Sequence, residues 1–154
     1  YSNLFLQTMI DIKEIYDKIE DKYLQIAKEY LELSDSTMDK ALEKHTSVYA
    51  FFCAILSYAK RILDEVEVEY EYTEARVKED RREDQLLKGK KVTEGSLHSY
   101  AKMSPKIKEL QLEILEAQHK YNLAKNIVAS LDHQKDMLVQ MSANKRAEIN
   151  LISR

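Results

Sequence analysis

Both glycines and the only proline of this 154-residue chain lie between Gly89 and Pro105. Every other stretch lacks these two residue types, which are the strongest interrupters of helices and strands. A chain with so few turn-forming residues has few turns and long elements, and strong helix formers dominate its composition. The segment 89–105 is therefore predicted to be the main reversal of the chain.

Apolar residues recur on both sides of this reversal at alternating spacings of three and four, which is the pattern of a heptad seam. The first seam is Val48, Phe52, Ile55, Ala59, Ile62 and Val66, with a second row at Tyr49, Leu56, Leu63, Tyr70 and Val77. The seam after the reversal is Ile107, Leu110, Ile114, Ala117, Tyr121, Ala124, Val128 and Leu131, with an interruption at Lys135, a resumption at Leu138 and an expected continuation at Ile149 and Ile152. The two arms, 45–88 and 106–149, are equal in length and predict an antiparallel helical hairpin.

Polar residues mark the predicted helix ends. Gly89 suits the end of the first arm, and Ser104 before Pro105 suits the start of the second. Thr93 can begin a short helix that reaches Lys102 inside the connection.

Upstream of the hairpin, apolar spacing predicts a helix over about 11–33, on a face formed by Ile12, Ile15, Ile19, Tyr23, Ile26, Tyr30 and Leu33. A polar break follows at 34–39, where Ser36 and Asp39 have the spacing of a capping box. Residues 1–8 precede Met9, and we expect them to be a non-native leader or a disordered start.

The predicted fold class is all-α: an elongated antiparallel helical hairpin of two long helices. Its divisions are 1–8 as the start, 9–35 as the N-terminal helix and 36–154 as the hairpin, with a short helix in the connection 89–105. Two long helices with wide apolar faces cannot hide them by pairing once. We therefore expect the N-terminal helix to cover part of this surface and copies of the chain to cover the rest as a homo-oligomer.

No catalytic or metal-binding pattern is present in the sequence. The four histidines, His45, His98, His119 and His133, are never three or four residues apart, so no helical zinc pair exists. The single cysteine, Cys53, lies in an apolar run and is expected to be buried and inert. We expect no catalytic residue, no metal and no cofactor, and hence no enzyme. The longest mainly apolar run, 48–59, is too short to span a bilayer, so no membrane partner is expected.

Charge is distributed unevenly around the reversal. Six acids and no base occur between Ile62 and Ala75, whereas ten bases and five acids occur between Arg76 and Lys108. The bases are Arg76, Lys78, Arg81, Arg82, Lys88, Lys90, Lys91, Lys102, Lys106 and Lys108. Together with Tyr100, they form a candidate nucleic-acid-binding site in which bases contact phosphates and a ring stacks on a nucleobase. The alternative is a solvated surface with ion pairs along the helix, such as Arg76 with Asp80 and Arg82 with Glu79.

Tyrosine is abundant, with ten copies and no tryptophan. Six of them are candidates for stacking: Tyr49, Tyr58, Tyr70, Tyr72, Tyr100 and Tyr121. Those on the seams, namely Tyr49, Tyr70 and Tyr121, are better explained by core packing.

A series of short segments resembles the UvsY-like recombination mediators of tailed phages. The segments, in order, are Lys44-His45-Thr46-Ser47, Arg81-Arg82, Lys88-Gly89-Lys90-Lys91, the overlapping Lys91-Val92-Thr93-Glu94, Met103-Ser104-Pro105, 116–125 and 130–139. The resemblance covers about 40–144. It consists of a pattern of helices and short sequence segments rather than a catalytic signature.

This resemblance implies a small helical protein that oligomerises and binds single-stranded DNA. It also implies that the oligomer helps to load a RecA-like recombinase onto strands held by single-strand binding protein, during DNA recombination and repair. A phage-encoded protein of this kind acts in the cytoplasm of the host cell. The family's basic stretch corresponds by position to 76–91. This chain departs from the family in its mildly acidic net charge of -3 and in the acidic block before the basic stretch. The alternative is a structural coiled-coil, scaffold or adaptor protein of a phage.

Overall fold

A computed structural model of the protein describes residues 2–32 and 38–153. Within these ranges the chain forms five α-helices and no β-strand. The helices are α1 (Ser2–Lys18), α2 (Tyr23–Leu31), α3 (Met38–Leu87), α4 (Glu94–Lys102) and α5 (Pro105–Ile152). The predicted all-α class with two long helices and a short helix between them is confirmed.

The chain divides into two compact units, and the long helices α3 and α5 contribute to both. Unit 1 contains Tyr1–Ala59 and Lys120–Arg154, and unit 2 contains Lys60–His119. The segment 36–154, predicted as one hairpin, is thus shared between the two units.

Unit 1 is built around an apolar core to which all four of its helical segments contribute. Its fully buried or nearly buried members are Ile12, Ile19, Ile26, Phe52, Ile55, Ala124, Ile127 and Leu131. All of these except Ile127 belong to the apolar faces predicted from the sequence. The ring of Tyr30 on α2 packs edge-on against Phe52, with centroids 5.1 Å apart. The first two helices therefore cover part of the apolar face of the long pair, as expected.

The N-terminal segment contains two helices, whereas its apolar spacing predicts one. The break spans Ile19 to Lys22, where the amide of Ile19 reaches the carbonyl of Tyr16 at 3.4 Å and that of Lys22 reaches Lys18 at 2.9 Å. Glu20 and Asp21 are exposed in this turn, and Asp is a weak helix former. The helical start at Ser2 includes residues for which a disordered start was expected. Leu33, Ser36 and the Asp39 side chain, which belong to the predicted face and capping box, lie outside the described residues.

The apolar seam of α5 does not continue to the end of the helix, contrary to the sequence-based expectation. Ile149 is 57% exposed and Ile152 is 87% exposed. His45 of α3 contacts Leu131 of α5, so in an antiparallel pair the first residue of α3, Met38, lies level with about Leu138. Beyond that level α5 has no α3 residue opposite it.

Unit 2 has its own core and contains the reversal. Its buried residues are Leu63, Leu97, Ala101, Ile107, Leu110 and Ala117. The amide nitrogen of Gln111 donates to the hydroxyl of Tyr70 across 3.4 Å, joining α5 to α3. Leu97 and Ala101 of α4 are 1% and 0% exposed, so the short helix is packed into the unit.

The predicted helix ends at the reversal are confirmed at three positions. Gly89 has φ +67°, and the amides of Gly89 and Lys90 donate to the carbonyls of Leu86 and Gln85 at 3.0 Å each. These two bonds form the Schellman motif that ends α3. The Thr93 side chain accepts from the Ser96 amide at the start of α4, and Pro105 is the first residue of α5.

Candidate nucleic-acid interface

The eleven residues predicted to contact nucleic acid all belong to unit 2. Four are on the last turns of α3, three follow in the connection, two are on α4 and two are on the first turn of α5. In that order they are Arg76, Lys78, Arg81 and Arg82; Lys88, Lys90 and Lys91; Tyr100 and Lys102; Lys106 and Lys108. The reversal therefore gathers residues from three helices within one compact unit.

Five of the ten bases contact a carboxylate. Arg82 contacts two of them, Glu79 at 3.0 Å and Glu94 at 2.9 Å. The other four pairs are Lys78–Glu74 at 3.5 Å, Arg81–Asp84 at 3.6 Å, Lys88–Asp84 at 3.1 Å and Lys106–Glu109 at 3.8 Å. All but the Arg82–Glu94 pair are local contacts along one helix or its end. The pairs with well-exposed side chains, such as Arg82–Glu79 and Lys106–Glu109, contribute little to stability.

The other five bases have no ion pair within the described residues. Arg76 lies over the ring of Tyr72, 5.9 Å from its centroid, and not against Asp80 as the spacing alone allows. Lys90, Lys91, Lys102 and Lys108 are exposed. Their ammonium groups are available to an anion without the loss of an existing ion pair.

A groove of about 400 Å³ lies beside the start of α4. It is called the basic groove here, and its walls are Arg82, Leu86, Lys90, Lys91, Val92, Thr93, Glu94 and Leu97. Three bases and one acid line it. The Arg82–Glu94 ion pair joins α3 to the first turn of α4 beside this groove. The surplus of positive charge suits phosphate groups.

A second groove, of about 370 Å³, lies between the end of α3 and the α4–α5 turn. It is called the tyrosine groove here, and its walls are Val77, Asp80, Arg81, Asp84, Tyr100, Met103, Ser104 and Pro105. The Arg81 guanidinium lies over the Tyr100 ring, 4.5 Å from its centroid. Consecutive residues of α3, Arg81 and Arg82, thus line different grooves.

Asp80 and Met103 are lining residues that the sequence analysis did not select. Asp80 has no ion pair within the described residues, and Met103 is 84% exposed. The signal for Asp80 was present, because Val77, Asp80, Arg81 and Asp84 have the spacing of one helix face. Met103 had no such signal, because its position depends on how the α4–α5 turn packs.

The six candidate tyrosines fall into two groups, one exposed and one partly buried. Tyr72 and Tyr100 are 58% and 45% exposed. Tyr49 stacks on His45 and Tyr58 packs edge-on against Tyr16, both in unit 1. Tyr49, Tyr70 and Tyr121 are all partly buried, in agreement with the packing role predicted for them. Tyr72 and Tyr100 are the two rings of unit 2 with enough exposed surface to stack on a base.

Cys53 is partly buried rather than fully buried. A hydrogen bond with Cys53 is the largest cause that raises the pKa of Tyr49, and Asp132 raises it further. No group of three or more His, Cys, Asp or Glu side chains in the described part of the chain is arranged to bind a metal ion.

No described helix combines the length and the apolar character that a membrane crossing requires.

Comparison with known proteins adds no relative to these observations: no family model, curated protein or solved structure matches the chain.

Proposed function

We propose that this protein is a recombination mediator that binds single-stranded DNA as an oligomer and helps to load a RecA-like recombinase. The observation that carries the proposal is the set of exposed lysines without ion pairs in unit 2: Lys90, Lys91, Lys102 and Lys108. The resemblance of residues 40–144 to the UvsY-like mediators supports the same function.

The chemistry of the two grooves and of the exposed tyrosines of unit 2 supports a single strand as the ligand. A phosphate in the basic groove gains charge-assisted hydrogen bonds from Lys90 and Lys91. The same contacts release counterions from the strand, which favours binding at low salt. Tyr100 and Tyr72 expose rings that a base can reach only when it is unpaired, because stacking requires access to its face. A duplex offers phosphates but no free base face.

The DNA-binding claim is tested by fluorescence anisotropy with a labelled single strand over a salt series. Wild-type protein is expected to bind at low salt and to lose affinity steeply as salt increases. The double variant Lys90→Gln with Lys91→Gln is expected to reduce the log–log salt slope by about 1.4, which is ~0.7 for each lost phosphate contact. Flat, weak binding by the wild type at low salt would contradict the proposal.

The matched control for this variant is Lys125→Gln with Lys135→Gln. Both of these lysines are exposed on the α5 part of unit 1 and have no ion pair within the described residues. The control removes the same charge from the chain, so it separates a local phosphate contact from a general charge effect. Equal losses in the two double variants would argue against the basic groove.

Loading requires a second experiment, since many proteins bind a single strand without helping a recombinase. Single-stranded DNA is first coated with single-strand binding protein, and the ATPase rate of a RecA-like recombinase is then followed. The protein is expected to shorten the lag before filament assembly, and the Lys90/Lys91 variant is expected to lose this effect. A protein that binds DNA but leaves the lag unchanged is not a mediator.

A structural scaffold or adaptor is the second candidate function. It is favoured by the end of α5, where residues 143–153 are all exposed and include Ile149, Leu151 and Ile152. These apolar side chains are exposed to water, so covering by another copy would stabilise this end. Charge reversal at Lys88, Lys90 and Lys91 discriminates the two functions. The mediator predicts that assembly survives and DNA binding is lost. The scaffold predicts that assembly survives and that DNA binding is either unchanged by the charge reversal or absent in every variant.

A further inference from the structure

The two grooves of unit 2 have opposite surpluses of charge. The basic groove has three bases against Glu94. The tyrosine groove has Arg81 against two acids, Asp80 and Asp84. A phosphate is disfavoured beside two carboxylates. A single strand that places its phosphates in the basic groove therefore needs a different group for the tyrosine groove.

The tyrosine groove has the flat, polarisable surfaces on which a nucleobase stacks. The Arg81 guanidinium lies over the Tyr100 ring, 4.5 Å from its centroid, and 35% of the Arg81 side chain is exposed. Met103 also lines this groove and is 84% exposed. Bases stack on guanidinium planes and aromatic rings with energies that hardly depend on base identity. Stacking alone explains binding here but not a choice between bases.

The acids in the tyrosine groove can distinguish one base from another by hydrogen bonding. Asp84 already accepts from Lys88 at 3.1 Å and lies 3.6 Å from Arg81. Asp80 has no ion pair within the described residues, so its oxygens are available as acceptors. A carboxylate accepts hydrogen bonds from the exocyclic amino group of cytosine. Thymine has a carbonyl oxygen at that position, which repels a carboxylate.

We propose that the tyrosine groove is a base-reading subsite in which Asp80 accepts a hydrogen bond from the exocyclic amino group of a base stacked beside Arg81 and Tyr100. This inference rests on the proposed single-strand binding and deepens it with a base preference. Cytosine is bound better than thymine, and the preference belongs to Asp80 alone.

The test compares oligo(dC) and oligo(dT) of equal length in competition anisotropy with the full chain near neutral pH. Both are pyrimidine strands with the same number of phosphates, so the exocyclic group is the main difference. Wild-type protein is expected to prefer oligo(dC) by about five-fold or more, since one net hydrogen bond corresponds to about that factor. Asp80→Asn is expected to reduce this ratio to near one, because the amide can rotate to offer a donor to thymine as readily as an acceptor to cytosine.

The matched control is Glu83→Gln, which removes one negative charge from an exposed residue of the same helix that does not line the groove. It is expected to strengthen the binding of both oligonucleotides and to keep their ratio. Thermal melting of both variants by circular dichroism verifies that they fold.

Each outcome separates the two proposals. Absence of binding to either oligonucleotide contradicts the proposed function itself. Binding with equal affinities, or a preference that survives in Asp80→Asn or disappears in Glu83→Gln, overturns the base-reading subsite while single-strand binding stands.

Discussion

His45 donates a hydrogen bond from Nε2 to the carbonyl oxygen of Leu131 across 2.6 Å, joining α3 to α5 in unit 1. A carbonyl oxygen only accepts, so the Nε2 atom must carry the proton. The residue is 6% exposed, and its ring stacks on Tyr49 with centroids 6.1 Å apart. His45 is therefore a packing and alignment residue between the long helices.

Replacing His45 with Ala is expected to destabilise unit 1 by about 2 kcal/mol, because the substitution removes a buried donor and leaves a cavity. Urea unfolding followed by far-UV circular dichroism measures the loss. His133→Ala is the control, since His133 is exposed on α5, and its effect is expected to stay within about 0.5 kcal/mol. Similar losses of unfolding free energy in both variants would show that the His45–Leu131 hydrogen bond does not stabilise unit 1.

Phe52 is the largest fully buried side chain of the described core and is 0% exposed. Its ring lies 5.1 Å from that of Tyr30 and 5.7 Å from that of Phe51. Phe52→Ala is expected to cost about 3–5 kcal/mol through lost burial and a residual cavity. Denaturant titration measures this, with Leu87→Ala as the control at a position 89% exposed. A loss below about 1 kcal/mol in Phe52→Ala would contradict the described core.

Replacing Gly89 and Gly95 with Ala is expected to change the stability of the protein in opposite directions. A Cβ atom would meet nothing within 4 Å at either position, but only Gly89 has a positive φ, +67°. Gly89→Ala is expected to destabilise by about 1 kcal/mol through backbone strain. Gly95→Ala, within α4, is expected to stabilise by up to about 1 kcal/mol. Thermal melts of the two variants measure both signs, and two shifts in the same direction would contradict the Schellman end of α3.

The stability of the folded chain is expected to depend on pH in the alkaline range through the hydroxyl of Tyr30. Burial is the largest cause that raises its pKa above the ordinary 10.0, and Glu29, Asp11 and Glu14 raise it further. Above pH 10 the unfolded chain loses the phenolic proton while the folded chain retains it. The unfolded state then binds fewer protons, so stability falls as pH rises through this window. Below it the contribution is fully present.

Tyr30→Phe keeps the ring on Phe52 and removes the titrating hydroxyl. Its free energy of unfolding is expected to fall less than that of the wild type between neutral pH and the alkaline window. Urea midpoints over a pH series measure the difference. Tyr72→Phe, at a ring that is 58% exposed, controls for the loss of a hydroxyl, and parallel curves for wild type and Tyr30→Phe would contradict the prediction.

Much of the fold is predictable from local rules. Helix periodicity places Phe52 and Ile55 on one face of α3, and Ala124 and Leu131 on one face of α5. All four residues are buried. The Gly89 turn, the Thr93 cap and the Pro105 start also follow from local chemistry, since each depends on a few adjacent residues. The surplus of positive charge around the reversal can also be read directly from the sequence. Every base of the candidate interface was identified from it.

The amino-acid sequence by itself determined the two long helices, their apolar faces and the place where the chain turns back, because these depend on spacing and on residues with special backbone preferences. Only the tertiary structure decided that Arg81 lies over Tyr100, that Asp80 has no ion pair in the described part of the chain, and that Ile149 and Ile152 have no α3 residue opposite them. Periodicity assigns a residue to a helix face, but the partner of that face depends on the register and the end of a different helix. That relation between distant segments is set by packing, and no local pattern contains it.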